Sequence, residues 1–294
     1  MIRDLLKGTG VALVTPFGAD MSVDYQALEK LINFVIDGGV QYIVSLGSTG
    51  ETATLSSAEK IDIFNFTCDK VQNRLPVVVG IGGNNTQAIV AELESFPLEK
   101  AVAILSASPY YNKPSQEGIY QHYKAMSNAT TKPIILYNVP GRTGSNILPA
   151  TVVRLATDFQ NINGMKEASG NVMQCMQLLK DKPSDFFVTS GDDHLALALI
   201  ACGMDGVISV AANCFPKDFS TLISAALDNN YSLARIYQYN LLEGLNLLFA
   251  ENNPAGVKAF LSEMGIIENY LRLPLVPLSN TFSEKVKAYL PTLV

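Results

Sequence analysis

The stretch Val11-Ala-Leu-Val-Thr-Pro-Phe17 opens the pattern from which the fold of this chain is predicted. It is a short apolar run typical of a buried strand, and it is followed by Asp24–Gly38, whose apolar residues have helical spacing. Asp24 is a favourable N-cap for that helix, and Gly38 is a favourable residue for its end. A second apolar run, Tyr42–Gly47, completes a strand–helix–strand unit.

This unit recurs through most of the chain at intervals of about 20 to 35 residues, the length of one strand and one helix. The strand candidates are Val11–Phe17, Tyr42–Gly47, Val77–Gly82, Val102–Pro109, Ile134–Pro140, Ile162–Ser169, Phe186–Gly191 and Gly206–Asn213. Most are apolar almost throughout, as parallel strands covered on both faces are. Eight such strands with intervening helices predict an α/β fold, a (β/α)8 TIM barrel, rather than an open sheet.

The residues after the last strand candidate are expected to form helices. Tyr231–Phe249 has helical spacing of its apolar residues, and Asn253-Pro254 is typical of an N-cap followed by proline at the first helical position. No flexible linker rich in Gly and Ser separates this part from the rest. We therefore predict a catalytic barrel over residues 1–225 and a C-terminal helical region over residues 226–294 that packs on it.

Charge and hydropathy exclude several classes of partner. The chain has 21 basic and 27 acidic residues, a net charge of −6, and no stripe of Lys and Arg, so neither nucleic acid nor an anionic membrane is an expected partner. Charged residues interrupt the N-terminal segment, and the longest apolar stretch, Leu195–Met204, is about half of what a bilayer crossing needs. These features predict a cytoplasmic protein.

The residues that commonly bind metals are scarce. The chain has two histidines and four cysteines, and the cysteines lie far apart without the spacing of a zinc site. A Ser-His-Asp relay combined with a metal is hard to build from so few histidines. We therefore expect chemistry based on Lys, Tyr, hydroxyl groups, Arg and carboxylates, with no metal and no cofactor.

In a barrel of this kind, the catalytic residues follow the carboxyl ends of the strands. Lys166 lies inside an apolar strand candidate, where lysine is disfavoured. It is either an edge lysine that reaches solvent or a lysine with a pKa lowered by burial, which could attack a ketone and form a Schiff base. Tyr137 ends another strand candidate; it is either a core residue or, beside such a lysine, a proton donor and acceptor.

Three other positions on this face could contact a substrate. Ser48-Thr49, in Gly47-Ser-Thr-Gly-Glu51, offers hydroxyl groups and backbone N–H groups that could hold a carboxylate, although such a sequence also serves as a plain helix cap. Arg142 lies in a turn flanked by glycines and is either a surface residue or the partner of a second carboxylate. Gly191 ends the seventh strand candidate, and the adjacent Asp192 and Asp193 are expected to cap helices rather than bind a metal.

Together these residues resemble the dihydrodipicolinate synthase / N-acetylneuraminate lyase superfamily of Schiff-base aldolases. The resemblance runs in order from about Gly10 to about Leu278, with the turn Ser48–Glu51 and the lysine strand Met165–Asn171 typical of the superfamily. Three further segments resemble its dihydrodipicolinate synthase branch: Ser108–Asn112, Tyr137–Thr143 and Gly206–Asn213.

The resemblance implies a condensation of pyruvate with L-aspartate-4-semialdehyde, which feeds lysine and diaminopimelate synthesis. It implies that Lys166 forms an iminium with pyruvate. Tyr137, Ser48 and Tyr111 would form a proton relay, with Tyr111 reaching into the site of a neighbouring subunit. The family assembles as a homotetramer of two tight dimers, and we expect the same here.

The resemblance also assigns the substrate-binding residues. Backbone groups of Ser48 and Thr49 would hold the carboxylate of pyruvate, and Arg142 would hold the carboxylate of the aldehyde. Ile208 would contribute its main chain near the lysine, and Gly191 is expected to line the same site.

Two alternative functions stay open at this point. The branch usually has threonine at the position of Ser48, and serine there also occurs in the neuraminate lyases, so a pyruvate-dependent lyase acting on a sugar acid is the main alternative. Arg142 disfavours it. A non-catalytic barrel with a binding or regulatory role is the other, and the combination of Lys166, Tyr137 and Arg142 argues against it.

The resemblance also bears on feedback by the end product. Lysine-sensitive members of the branch bind lysine at the tight-dimer interface with a histidine and a glutamate. By motif alignment, this chain keeps Asn84 and Tyr110 of that site but has Lys60 in place of the histidine and Ala88 in place of the glutamate. We therefore predict little or no inhibition by lysine.

Overall fold

The computed structural model describes residues 1–292 and contains a closed barrel of eight parallel strands. The strands are β1 (Gly8–Ala12), β2 (Tyr42–Ser45), β3 (Val77–Gly80), β4 (Ala103–Ala107), β5 (Ile134–Asn138), β6 (Ile162–Glu167), β7 (Phe187–Ser190) and β8 (Gly206–Ser209). Each strand pairs with the next, and β8 pairs with β1 through Gly8↔Gly206 to Val11↔Ser209. The predicted (β/α)8 barrel is confirmed.

One short helix precedes β1, and the others follow strands along the chain, several of them packing on the outside of the barrel. They are α1 (Ile2–Leu5), α2 (Tyr25–Asp37), α3 (Ser57–Val71), α4 (Thr86–Ser95), α5 (Gln116–Ala129), α6 (Pro140–Thr143), α7 (Pro149–Asp158), α8 (Val172–Asp181), α9 (Ala196–Ala201), α10 (Pro216–Leu227), α11 (Tyr231–Phe249), α12 (Ala255–Glu263) and α13 (Asn280–Tyr289). Within residues 1–292, no helix has both the length and the apolar character needed to cross a bilayer.

Helix α2 illustrates why the local sequence gives these elements. The Asp24 side chain accepts a hydrogen bond from the backbone N–H of Ala27 at 2.9 Å, which caps the first turn as the sequence predicts. The helix ends at Asp37, directly before Gly38. Its buried side chains, Leu28, Leu31, Ile32 and Val35, form one stripe against the barrel.

The strands are shorter than the apolar runs that predicted them, and the first strand differs most. We expected it over Val11–Phe17, but β1 ends at Ala12. After β1, the N–H of Leu13 still donates to the carbonyl oxygen of Val44, while the N–H of Val14 donates to the side-chain oxygen of Asn213 at 3.2 Å. These post-strand residues remain buried, so apolar character alone could not mark where the ladder ends.

The barrel holds two apolar layers. The inner one fills the barrel with strand residues such as Tyr42, Val78, Ile135 and Phe187, all fully buried. The outer one lies between the strands and the surrounding helices. Leu6, just before β1, belongs to the inner layer, so the N-terminal segment covers the end of the barrel opposite the catalytic face.

Of the two predictions made for the C-terminal helices, one is confirmed and one is wrong. Residues Tyr231–Phe249 form helix α11 as expected. Asn253 does not cap a helix, because its side-chain amide donates to Thr49 Oγ1 at 2.8 Å instead, and α12 begins only at Ala255. Helix α10 (Pro216–Leu227) runs across residue 225, and the division into regions 1–225 and 226–294 stays a prediction.

Candidate active site

Lys166 lies on β6 at the catalytic end of the barrel. It pairs with Tyr137 on β5 and with Thr189 on β7, and only 5% of its surface is exposed. Its Nζ lies 4.4 Å from the centroid of the Tyr137 ring. The alternative of an edge lysine reaching solvent is therefore excluded, and the structure brings together the predicted nucleophile and the predicted proton carrier.

Burial determines the protonation of this pair. It lowers the pKa of Lys166 to about 8, while the charge of Asp193 raises that pKa and the charge of Arg142 lowers it. Burial also raises the pKa of Tyr137 to about 12. Near neutral pH, an appreciable fraction of the lysine is therefore a neutral amine, and the phenol keeps its proton and can donate it.

Gly191, after β7, lies directly against the lysine. A Cβ atom at this position would lie 2.7 Å from Lys166 Cε and 2.7 Å from Ala168 Cβ, closer than any real contact. The backbone N–H of Gly191 donates to the carbonyl oxygen of Glu167 at 2.8 Å. Glycine is therefore needed here because the side chain of Lys166 lies so close to its backbone, and any larger residue would displace the nucleophile.

The Ser48–Gly50 turn follows β2 and presents the predicted carboxylate-binding groups. Ser48 is exposed, whereas Thr49 is buried and its hydroxyl oxygen accepts the hydrogen bond from Asn253. The Gly50 carbonyl oxygen accepts from the Thr15 hydroxyl at 2.7 Å. The turn is thus held from two sides, and the hydroxyl of Ser48 stays accessible.

A buried ion pair that the sequence analysis missed supports this turn. Glu51, which has a left-handed φ of 53°, ends the turn, and its Oε1 lies 2.6 Å from Lys258 Nζ on α12. Both side chains are fully buried. The Lys258 ammonium also lies 4.2 Å from the centroid of the Phe17 ring and donates to the Tyr270 carbonyl oxygen at 2.8 Å. The signal in the sequence was a single lysine inside the apolar helix Ala255–Glu263.

Arg142 lies on the short helix α6, and its guanidinium is exposed. Its Nη2 donates to the carbonyl oxygen of Asn253 at 3.1 Å. Asn253 therefore contacts both predicted carboxylate-binding residues, Thr49 through its side chain and Arg142 through its backbone. The positive charge of Arg142 also lowers the pKa of Tyr137, against the larger effect of burial.

The last two predicted residues lie in different surroundings. Ile208 is buried in the middle of β8, where it pairs with Gly10 of β1. Tyr111 is 87% exposed and has a left-handed φ of 71°, with its N–H donating to the Thr143 carbonyl oxygen at 3.2 Å. The structure therefore does not pack the Tyr111 side chain beside Lys166 and Tyr137 of the same chain.

The two aspartates after β7 have separate partners. Asp192 accepts hydrogen bonds from the N–H groups of His194 and Leu195 in the turn before α9, but the N-cap of that helix is Leu195, so the expected capping by Asp192 is wrong. Asp193 does not cap its own segment, since its Oδ2 accepts from backbone N–H groups that follow β8. Over residues 1–292, no cluster of three or more His, Cys, Asp or Glu side chains is arranged to hold a metal ion.

Comparison with known sequences gives consistent matches over nearly the whole chain. Residues 5–293 match the model of the Dihydrodipicolinate synthetase family. The 4-hydroxy-tetrahydrodipicolinate synthase of Flavobacterium psychrophilum is 50% identical over 282 residues, which cover 96% of this chain and 96% of that protein. The enzyme of the same name from Parabacteroides distasonis is also 50% identical, over 97% of this chain and 96% of that protein.

Solved structures also match over nearly the whole chain. A monomeric dihydrodipicolinate synthase variant has a TM-score of 0.95 and 39% sequence identity, covering 98% of this chain and 97% of that chain. The chloride-inhibited dihydrodipicolinate synthase from Acinetobacter baumannii, complexed with pyruvate, has a TM-score of 0.94 and 40% identity. That match covers 97% of this chain and 98% of the other.

Proposed function

Because the chain belongs to the Dihydrodipicolinate synthetase family, we propose that it condenses pyruvate with L-aspartate-4-semialdehyde to 4-hydroxy-tetrahydrodipicolinate through an iminium on Lys166. Membership confirms the resemblance inferred from the motifs, and the names of the relatives confirm the prediction of a lyase of lysine and diaminopimelate biosynthesis. The observation that carries the mechanism is the burial of Lys166 against the ring of Tyr137.

The proposed reaction begins with the neutral amine of Lys166. Its Nζ attacks the ketone carbon of pyruvate, and the carbinolamine loses water once its hydroxyl receives a proton. The iminium withdraws electrons from the adjacent methyl group, which gives up a proton and becomes the carbon nucleophile of an enamine. That carbon attacks the aldehyde, whose oxygen takes up a proton. The α-amino group of the former semialdehyde then attacks the iminium carbon and closes the ring, and the C–N bond to Lys166 breaks, which releases the cyclic product and the free amine. Tyr137 and Ser48 carry these protons, and the sequence of steps needs no metal or redox cofactor.

Two positions would orient the substrates by binding their carboxylates: the backbone N–H groups of the Ser48–Gly50 turn and the guanidinium of Arg142. The Ser48-Thr49 backbone would hold the carboxylate of pyruvate, with Ile208 contributing main-chain contacts on the other side. Arg142 would bind the carboxylate of the aldehyde as a charge-assisted pair. The link through Asn253 supports this arrangement, because it keeps the two carboxylate-binding positions at a constant separation.

We also propose that the chain works in the cytoplasm as a homotetramer of two tight dimers. Tyr111 supports this assembly at least as far as the dimer, because it is exposed, has a left-handed backbone and packs against little of its own chain. A tyrosine in that state is well placed to enter the site of a partner subunit. One structural relative is a monomeric dihydrodipicolinate synthase variant, and sedimentation of the purified protein decides the assembly of this chain.

Turnover assays test the proposed reaction against its alternatives. The purified protein is supplied with pyruvate and aspartate semialdehyde in one experiment and with N-acetylneuraminate in another. We expect product only in the first. Cleavage of the sugar acid would instead support the alternative lyase, and binding of pyruvate without turnover of either substrate would support a non-catalytic barrel.

Arg142→Ala is expected to weaken the use of aspartate semialdehyde well over tenfold. The change removes a charge-assisted contact of about 1.5–3 kcal/mol, while the amine of Lys166 stays in place. The steady-state kinetics of the aldehyde and the reductive trapping of pyruvate are measured on the same preparation. Unchanged kinetics with the aldehyde would move the assignment towards the sugar-acid lyase.

Inhibition by L-lysine is expected to be weak or absent. Ala88 offers no carboxylate for the α-ammonium, and Lys60 places a positive charge there, with its Nζ 3.2 Å from Glu92 Oε1. One lost charged hydrogen bond corresponds to about 1.5–3 kcal/mol, or roughly tenfold to a hundredfold in affinity. Activity is titrated with L-lysine; half-inhibition at sub-millimolar concentration would contradict the alignment of Lys60 and Ala88.

A further inference from the structure

Asp193 is a buried carboxylate for which the proposed reaction has no role so far. Only 1% of its surface is exposed. Its Oδ2 accepts hydrogen bonds from the backbone N–H groups of Val210 at 3.0 Å and Ala211 at 2.9 Å, just after β8. Its Oδ1 is also buried and makes no hydrogen bond within residues 1–292. Burial raises the pKa of this carboxyl, while the two N–H groups and the nearby Ser209 hydroxyl lower it. A buried carboxylate with one oxygen fixed and the other unused needs an explanation.

The position of Asp193 relates this carboxylate to the nucleophile. It lies two residues after Gly191, whose backbone contacts the side chain of Lys166. The segment that follows Ile208 supplies both of its N–H partners. Asp193 thus connects the ends of β7 and β8 beside the lysine, on the same face of the barrel as Tyr137.

Few other charges act on the amine of Lys166. Arg142 is positive and opposes a cation there, and Tyr137 is a neutral phenol. Glu167 is adjacent in sequence, but its carboxylate accepts hydrogen bonds from Asn138 and from the backbone N–H of Ser169. Asp193 is the negative group whose field favours a positive charge on Lys166.

The intermediate needs such a group more than the free amine does. A buried lysine avoids the cost of burial by losing its proton, whereas a protonated iminium carries its charge throughout its lifetime. A carboxylate held by two backbone N–H groups is oriented before the reaction, so it stabilises that charge without reorganising.

We infer that Asp193 is the counter-charge of the iminium on Lys166, held in place by the backbone of Val210 and Ala211. The inference rests on the proposed iminium. It makes Asp193 a positioning and electrostatic residue rather than a group that exchanges protons with the substrate.

Asp193→Asn tests the inference, because the amide keeps the size and an acceptor for the two N–H groups but has no charge. Removal of the carboxylate lowers the pKa of Lys166, so borohydride trapping of pyruvate should begin at lower pH than in the unaltered enzyme. The iminium loses its counter-charge, so at a pH above both midpoints the fraction trapped at a given pyruvate concentration should fall by on the order of tenfold. A merely structural role would not move the pH midpoint downwards.

The matched control is Asp192→Asn, which changes the neighbouring, partly exposed aspartate and should leave both the midpoint and the trapped fraction unaltered. Asp193→Glu, which keeps the charge, should retain a midpoint near that of the unaltered enzyme. If Asp193→Asn does not fold, Asp193→Ser replaces it, since a hydroxyl also accepts from N–H groups and carries no charge.

The outcomes separate the inference from the proposed function. If the unaltered enzyme is not trapped at Lys166, the proposed iminium fails. If it is trapped and the uncharged variant keeps the same midpoint and the same trapped fraction, the role of Asp193 is overturned. An equal effect of Asp192→Asn would overturn it as well.

Discussion

Lys166→Ala is expected to lose several orders of magnitude in turnover while remaining folded. The change removes the nucleophile of the proposed reaction, and the remaining groups at the site cannot form the covalent intermediate. The fold should survive, because burial disfavours the charged form of Lys166, and this side chain therefore does not stabilise the barrel. Turnover and thermal unfolding by circular dichroism are measured on the same sample. The surface variant Lys180→Ala serves as the control and should keep full activity.

Lys166 should be the lysine that is labelled when pyruvate and borohydride are added to the unaltered enzyme. Trapping should increase as the pH rises through about 8, because the amine of Lys166 loses its proton there. Lys258 is an internal control, since burial lowers the pKa of its amine as well, but its Nζ is paired with Glu51. A mass added at Lys258, or at no lysine, would contradict the mechanism.

The sequence was sufficient to predict the barrel because its signal is local. Each parallel strand is a short apolar run, and each helix has its own periodicity and caps, as Asp24 and the stripe Leu28–Val35 illustrate. The catalytic face follows from the fold, since it lies at the carboxyl ends of the strands. Lys166 could then be selected because a lysine inside an apolar strand is unusual.

The features that could not be predicted are contacts between distant parts of the chain. Asn253-Pro254 has the local sequence pattern of a helix start. The side chain of Asn253 instead donates a hydrogen bond to Thr49, 204 positions away in the sequence. Glu51 and Lys258 are just as far apart in the sequence, and the residues around either one give no sign of its partner. Tertiary contacts of this kind override local preference, and they concentrate where the C-terminal helices meet the Ser48–Gly50 turn.

Lys258→Met is expected to lower the free energy of unfolding by about 3–5 kcal/mol, because it leaves the carboxylate of Glu51 buried without a partner. The remaining contact of Glu51 is the backbone N–H of Arg272, at 3.0 Å from Oε2, which cannot replace an ammonium ion. Since Glu51 ends the turn that carries Ser48 and Thr49, turnover should fall as well. Urea unfolding followed by circular dichroism measures the change in stability.

A second variant separates the loss of the pair from the loss of packing. In Glu51→Gln/Lys258→Met both charges are absent, so most of the lost stability should return, as it does when a buried ion pair is replaced by neutral groups. Lys287→Met, which removes an exposed lysine 3.3 Å from Glu284, should change the free energy of unfolding by less than about 1 kcal/mol. If Lys258→Met is no more destabilising than Lys287→Met, the buried pair does not hold the turn, and the order of residues 48–50 must come from Thr15 and Asn253 alone.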